Sequence, residues 1–241
     1  MEIAIVIPAR YASTRFPGKP LALINGKPMI EHVYRRLADM EEVDQVIVAT
    51  DDERIYRTVE DFGGQAVMTP SHLQSGTDRI AMVARDLTAD IIVNVQGDEP
   101  LLKKEMVREA LAPFFEDETV LMSTLKKKIT DKEEINNPNV VKVVTNKRGD
   151  ALYFSRYPVP YPRNEGAVYY KHIGLYVYKR DFLLEYSQMA QTALERAESL
   201  EQLRVLENGY PIRVVETGYD SIGVDTPEDL KKVEEILLAN N

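Results

Sequence analysis

Through the first half of the chain, short apolar β-branched runs alternate with stretches whose apolar positions recur every three or four residues. Residues 4–7 (AIVI), 46–50 (VIVAT) and 91–95 (IIVNV) are near-continuous apolar runs, the pattern of strands covered on both faces. Between them Met29, Ile30, Val33, Leu37 and Met40 fall at helical spacing. So do Ile55, Val59 and Phe62, and then Ile80, Val83, Ala84 and Leu87. Strand, helix, strand, helix in that rhythm predicts parallel strands joined by crossover helices. The chain up to residue 125 or so therefore reads as α/β, a doubly wound, mostly parallel sheet.

The rhythm then changes. Residues 140–144, 151–154 and 172–178 read as strands with no long helices between them, and the last of these alternates. That predicts a smaller antiparallel layer with one buried face. Residues 157–166 (YPVPYPRNEG) are proline-rich and predict a loop or extended arm. A helix is predicted from about 193 to 208, stopped by Gly209, followed by a strand over 212–216 and a last helix beginning near Asp225. No linker, repeat or low-complexity tract interrupts the chain. It is expected to be one domain, 1–241, in which about 126–241 is a sheet-borne insertion followed by a closing strand and helix.

Composition removes several classes of function. The 241 residues carry 30 Lys plus Arg against 39 Asp plus Glu, a net charge of −9. That balance disfavours non-specific nucleic-acid binding. With no cysteine there is no disulfide framework, thiolate metal site or cysteine nucleophile. The histidines, His32, His72 and His172, do not fall at zinc-ligand spacing. No apolar stretch approaches the ~20 residues that span a bilayer. The apolar run at the N-terminus is short, with no basic region before it, so neither membrane nor export is expected and the cytoplasm is the expected compartment.

Against that acidic background, residues 8–20 (PARYASTRFPGKP) carry Arg10, Arg15 and Lys19 and no acid. The loop follows the first strand, and ligands of open α/β sheets bind at the carboxyl ends of strands. Guanidinium forks, an ammonium and turn-forming Pro, Gly and Ser suit a polyphosphate chain. A solvated basic loop would have the same composition, and its position after the first strand favours the phosphate reading. It is not a Walker A loop, because Gly18-Lys19 runs into Pro20 and residue 13 is Ser. No GxGxxG fingerprint occurs either.

Two carboxylates are candidates to share that crevice. In VNVQGDEP, Asp98 follows the third strand, Gly97 permits a turn and Pro100 prevents the strand from continuing. In GVDTPEDL, Thr226, Pro227 and Asp229 form a helix start of the capping-box kind, which leaves Asp225 outside it. Asp98 and Asp225 together suit Mg²⁺, which takes carboxylates plus substrate phosphate oxygens. Taken alone, each aspartate is as readily an Asx-turn or cap residue. From the second half, Arg156, His172, Tyr176, Glu201 and Gln202 offer a polar lining for a hydroxyl-rich acidic sugar. His172 and Tyr176, four apart on a strand, share a face. Leu200, Leu203 and Leu206 are the expected buried stripe beside Glu201 and Gln202, while His32 is expected to be structural or solvated.

Seven segments occur here in one order: IPARYASTRFPGKPL, HLQSGTDR, VNVQGDEP, LYFSR, YKHIGLY, ESLEQLRVLENG and GVDTPEDL. In them the chain resembles the 3-deoxy-manno-octulosonate (Kdo) cytidylyltransferases, over essentially its whole length. The resemblance implies a nucleotidyltransferase-type fold, a homodimer, and use of CTP and Mg²⁺ to make CMP-Kdo for lipopolysaccharide or capsule. It implies that about 1–125 binds the nucleotide and the smaller antiparallel insertion serves sugar binding and dimerisation. By motif, Arg10, Ser13, Arg15 and Lys19 match triphosphate positions, and Thr77 and Asp78 match positions near the cytidine. Asp98 and Asp225 match metal ligands, and Gln96, Arg156, His172, Tyr176, Glu201 and Gln202 match sugar-side positions. Arg10, Lys19, Asp98 and Asp225 are the expected catalytic set. Three alternatives stay open at this point: the same transfer to 8-amino-Kdo or a sialic acid, a metal-dependent glycosyltransferase, and a non-catalytic nucleotide-binding regulator.

Overall fold

A computed structural model describes residues 1–12, 16–73 and 75–239, which divide into two compact units. One is Met1–Lys104 with Asp220–Asn241, the other Glu105–Tyr219. The first division thus falls some twenty residues before the change of rhythm near 125, and the closing helix belongs with the first unit rather than with the insertion.

The first unit runs β1 (Ile3–Ala9), β2 (Leu23–Ile24), β3 (Lys27–Pro28), α1 (Met29–Ala38), β4 (Gln45–Thr50), α2 (Glu53–Asp61), β5 (Gln65–Met68), α3 (Gly76–Ala84) and β6 (Ile91–Asn94). Strands β6, β1, β4 and β5 lie side by side in that order, every neighbouring pair parallel. Residues 4–7 are wholly buried, as a strand covered on both faces requires. The chain steps from β1 outward to β4 and β5, then returns to place β6 on the other side of β1. That reversal is a topological switch point, where the two chain ends diverge and leave a crevice beyond the strands' carboxyl ends. The pair β2–β3 is a separate two-stranded antiparallel sheet, the small hairpin that follows the cationic loop.

The second unit contains α4 (Lys104–Glu116) from its second residue on, β7 (Met122–Lys128), α5 (Lys132–Asn136), β8 (Lys142–Thr145), β9 (Ala151–Ser155), β10 (Tyr170–Lys179), α6 (Arg180–Tyr186), α7 (Ala193–Glu198), α8 (Gln202–Glu207) and β11 (Arg213–Glu216). Its strands are ordered β11-β7-β10-β8-β9 and pair antiparallel except for β11 with β7. The segment 157–166 is irregular and largely exposed, with Tyr161 at 83%. The single helix expected over 193–208 is instead two, broken at Ser199, whose backbone is left-handed at φ 50°. Tertiary bonds open that turn: the Arg156 side chain donates to the main-chain carbonyls of both Glu198 and Ser199. Leu200 and Leu203 are buried as expected, but Val205, not Leu206, completes the stripe.

The chain then returns to the first unit as α9 (Pro227–Ala239). Its start is the expected box: Thr226 Oγ1 accepts from the Asp229 N–H, and the Asp229 carboxylate accepts from the Thr226 N–H. Val233 joins Ile24, Met29, Leu101 and Val224 in a small core that Leu230, Ile236 and Phe16 flank. Burial of that apolar stripe carries residue 225 back to the carboxyl ends of β1 and β6, and the Val224 N–H donates to the Asp98 carbonyl at 2.9 Å.

Candidate active site

At the switch point lies a cavity of about 490 Å³, lined by Arg10, Lys19, Gln96, Asp98 and Asp225 among others. Each comes from a feature visible in the chain. Arg10 directly follows β1, and Lys19 opens a short 3₁₀ turn after the cationic loop. Asp98 lies in the turn after β6, and Asp225 precedes the α9 cap. Gly97 suits a close approach: a Cβ there would stand 3.0 Å from the Pro8 carbonyl oxygen, so a larger residue would push the ends of β6 and β1 apart by a few tenths of an ångström. The Gln96 side-chain amide donates to Asn94 at 2.9 Å.

The Lys19 ammonium joins the two aspartates, 2.5 Å from Asp98 Oδ2 and 3.4 Å from Asp225 Oδ1. Residues 79 and 206 positions apart from it are thereby held around one positive charge. Among the described residues no group of three His, Cys, Asp or Glu side chains gathers as a metal cage. Two carboxylates that already hold one cation between them still fit Mg²⁺, which commonly takes one or two protein carboxylates and completes its shell with phosphate oxygens and water. Next to Asp98, burial first and then the Asp98 charge push Glu99 up to about 7.

The first turn of α3 borders the cavity through Gly76. Ser75 caps that helix by accepting from the Asp78 N–H at 3.0 Å, Thr77 is buried and Asp78 is half-buried. Thr77 and Asp78 thus stand in the turn beside the cavity without lining it. Ser13 and Arg15 lie outside the described residues. His32 bonds the Ile24 carbonyl, a structural task as expected.

Sequence reasoning missed two pairs around this crevice. Asp51 follows β4 as Asp98 follows β6, and it holds the fully buried Arg79 of α3 at 2.8 Å. Arg79 also bonds Thr69, just past β5. Arg54, in the first turn of α2, stacks on Tyr11. The position of Asp51 and Asp52 at a strand's carboxyl end was the available signal.

The sugar-side candidates other than Gln96 belong to the second unit. On β10 two extra residues between Ile173 and Tyr176 shift the register against β7. An even offset preserves the alternation, so His172 and Tyr176 share a face with ring centroids 5.4 Å apart. Burial pushes His172 down to about 3. Its Nε2 lies 2.9 Å from Thr124 Oγ1, and its ring is edge-on to Phe154. Burial, with the Glu201 charge adding, holds the Tyr176 hydroxyl well above its ordinary value. Gln202 is buried and Glu201 half-buried at the start of α8. Arg156 carries a task the sequence did not disclose, since its Nε and both terminal nitrogens donate to the carbonyls of Glu198, Pro138 and Ser199. It builds the α7–α8 turn that presents Glu201 and Gln202.

Comparison with known proteins is consistent along the whole chain. Residues 4–217 match the model of the cytidylyltransferase family. A 3-deoxy-manno-octulosonate cytidylyltransferase of Geobacter metallireducens is 57% identical over 98% of both chains. That of Geotalea uraniireducens is 58% identical over 98% of this chain and 99% of its own. A solved structure of CMP:2-keto-3-deoxy-manno-octonic acid synthetase complexed with CTP superposes with a TM-score of 0.97, at 48% identity and covering 100% of both chains.

Proposed function

We propose, for a chain that belongs to the 3-deoxy-manno-octulosonate cytidylyltransferase family, that it transfers CMP from CTP to the anomeric hydroxyl of Kdo and releases pyrophosphate. The observation that carries this reading is the switch-point cavity in which Arg10 and Lys19 meet Asp98 and Asp225. The hydroxyl oxygen on C2 of Kdo bonds to the α-phosphorus, the bond from that phosphorus to the bridging oxygen breaks, and the hydroxyl proton leaves to solvent or the site. Such transfers need positioning and charge stabilisation more than covalent help.

Arg10 and Lys19 supply the positive charge for the triphosphate and the departing pyrophosphate, with Arg15 expected to join them. The requirement is quantitative. Kdo is itself an anion, and two like unit charges ~4 Å apart cost about 4 kcal/mol at an effective dielectric of 20. Uncompensated, that would slow the step roughly a thousandfold. Mg²⁺, held by Asp98 and Asp225, would supply further charge on the α-phosphate. Thr77 and Asp78 are assigned to the cytidine side. Gln96, Arg156, His172, Tyr176, Glu201 and Gln202 are assigned to the sugar acid, Arg156 through the turn it builds. A homodimer is proposed on the exposed apolar arm, where Tyr157 is 75% and Tyr161 83% accessible. Supply of lipopolysaccharide or capsule, from the cytoplasm, is part of the same proposal. No helix among the described residues is long and apolar enough to cross a membrane.

A pyrophosphate-release assay with Mg²⁺ tests the reaction. CTP, UTP, ATP and GTP are each paired with Kdo, 8-amino-Kdo and a sialic acid. Release is expected with CTP and Kdo well above every other pair. Preference for another sugar acid would move the assignment within the family, and release with no pair would overturn it.

A further inference from the structure

Arg54 and Tyr11 lie 43 positions apart and outside the lining of the cavity, yet they form a tight contact of the first unit. The guanidinium carbon of Arg54 stands 3.3 Å from the centroid of the Tyr11 ring. That guanidinium is aimed. Asp52 accepts from Nε at 2.9 Å and from a terminal nitrogen at 2.7 Å, a two-pronged grip. Asp52 is itself fixed as the cap of α2, accepting the Arg54 N–H at 3.0 Å. A planar cation so held presents its face to the ring without having to find that rotamer.

Tyr11 in turn closes the base of the cationic loop. Its carbonyl accepts the Gly18 N–H at 2.9 Å. Its ring lies against Gly18, where a Cβ would stand 3.0 Å from the ring and φ is +70°. Arg10 immediately precedes this closed base and Lys19 immediately follows it, and both line the cavity. We infer that Arg54 is a positioning residue, the outer half of a clasp that pins Tyr11 and Gly18 so that Arg10 and Lys19 are held ready for the triphosphate. This rests on the reading that the loop receives the phosphates of CTP. Arg54 does not line the cavity and acts through Tyr11. Without the clasp the nucleotide must order the loop base as it binds, and that ordering is charged to its affinity.

The test is steady-state pyrophosphate release with CTP and Kdo varied separately, beside calorimetric CTP binding and thermal melts. Arg54→Ala is expected to raise KM for CTP and weaken CTP binding about five- to tenfold, or ~1–1.4 kcal/mol. KM for Kdo should stay within about twofold. Because Arg54 is exposed, the melt should barely move, which separates positioning from stability. Tyr11→Phe keeps the stack and is expected to resemble the unsubstituted protein. Tyr11→Ala should match Arg54→Ala, and the double variant should be no worse than either, as residues acting as one unit require. An unchanged CTP KM, equal rises for both substrates, or additive losses in the double variant would overturn the clasp. If the unsubstituted protein binds CTP but releases no pyrophosphate, the reaction fails and the clasp is judged on CTP affinity alone. If it binds no CTP, both fail.

Discussion

Lys19→Met removes the ammonium that Asp98 and Asp225 share while keeping a side chain of similar length. In the intact protein those contacts measure 2.5 and 3.4 Å. Any divalent cation entering without nucleotide must therefore displace that ammonium or share the carboxylates with it. At an effective dielectric of 20, a single unit pair at ~4 Å is worth about 4 kcal/mol. Solvent screens this site, since the side chains of Asp98 and Asp225 are 32% and 48% exposed. A discounted value of about 1.5–3 kcal/mol, the scale of a hydrogen bond to a charged group, is the appropriate figure. That corresponds to roughly ten- to a hundredfold in affinity. The variant is thus expected to bind Mn²⁺, a spectroscopic stand-in for Mg²⁺, ten- to a hundredfold more tightly when no nucleotide is present. It should also lose CTP affinity and turnover, because the phosphates lose their ammonium. Two properties moving in opposite directions cannot come from misfolding. Mn²⁺ titration followed by electron paramagnetic resonance reads the first, and calorimetry with CTP the second. Equal or weaker Mn²⁺ binding by the variant would refute the argument that Lys19 is the resident counter-ion of a metal site.

Two further outcomes concern stability. Asp51→Asn leaves Arg79, with no solvent exposure, without its partner carboxylate, and stranding one member of a buried pair costs about 3–5 kcal/mol. For a chain of this size the melting temperature should fall roughly 6–20 °C, and an unchanged melt by calorimetry would contradict the pairing. His172 titrates at about 3 when folded, below its ordinary value near 6.5. The unfolded chain therefore takes the proton first, and His172 costs stability as pH falls from about 6.5 toward 3. His172→Gln should lose less melting temperature than the unsubstituted protein between pH 7 and pH 5. Identical losses would mean that His172 is not buried in its neutral form.

The first unit was legible where hydropathy decides structure. Strands β1, β4 and β6 are buried on both faces, so their residues had to be apolar and contiguous. Strand β5 escaped notice because among the described residues it pairs only with β4, and its exposed Gln65, Val67 and Met68 show no clear period. Strand β7 was hidden for a different reason. Its Ser123 and Thr124 are fully buried but look polar in sequence, their hydroxyls satisfied by the carbonyls of Ala110, Ile173 and Leu175. The broken helix at Ser199 depends on Arg156, over forty residues away, and no local signal in ESLEQLRVLENG reports it.

The site shows the same division. Loop charge and strand-end position singled out Arg10, Lys19 and Asp98, and the capping box isolated Asp225; the structure brings all four to the lining of one cavity. What spacing could not reveal was that Lys19 links the two aspartates, that Asp51 is committed to Arg79, and that Arg54 stacks on Tyr11. Each of those depends on which elements the sheet order brings side by side.

The shared catalytic role proposed for Asp98 and Asp225 is tested most directly by pyrophosphate release from CTP and Kdo in Asp98→Asn and Asp225→Asn, each with its melting temperature. Both variants are expected to melt close to the unsubstituted protein and to lose at least about a thousandfold in kcat/KM. Near-normal turnover in either one would mean that the two aspartates do not form a single catalytic centre.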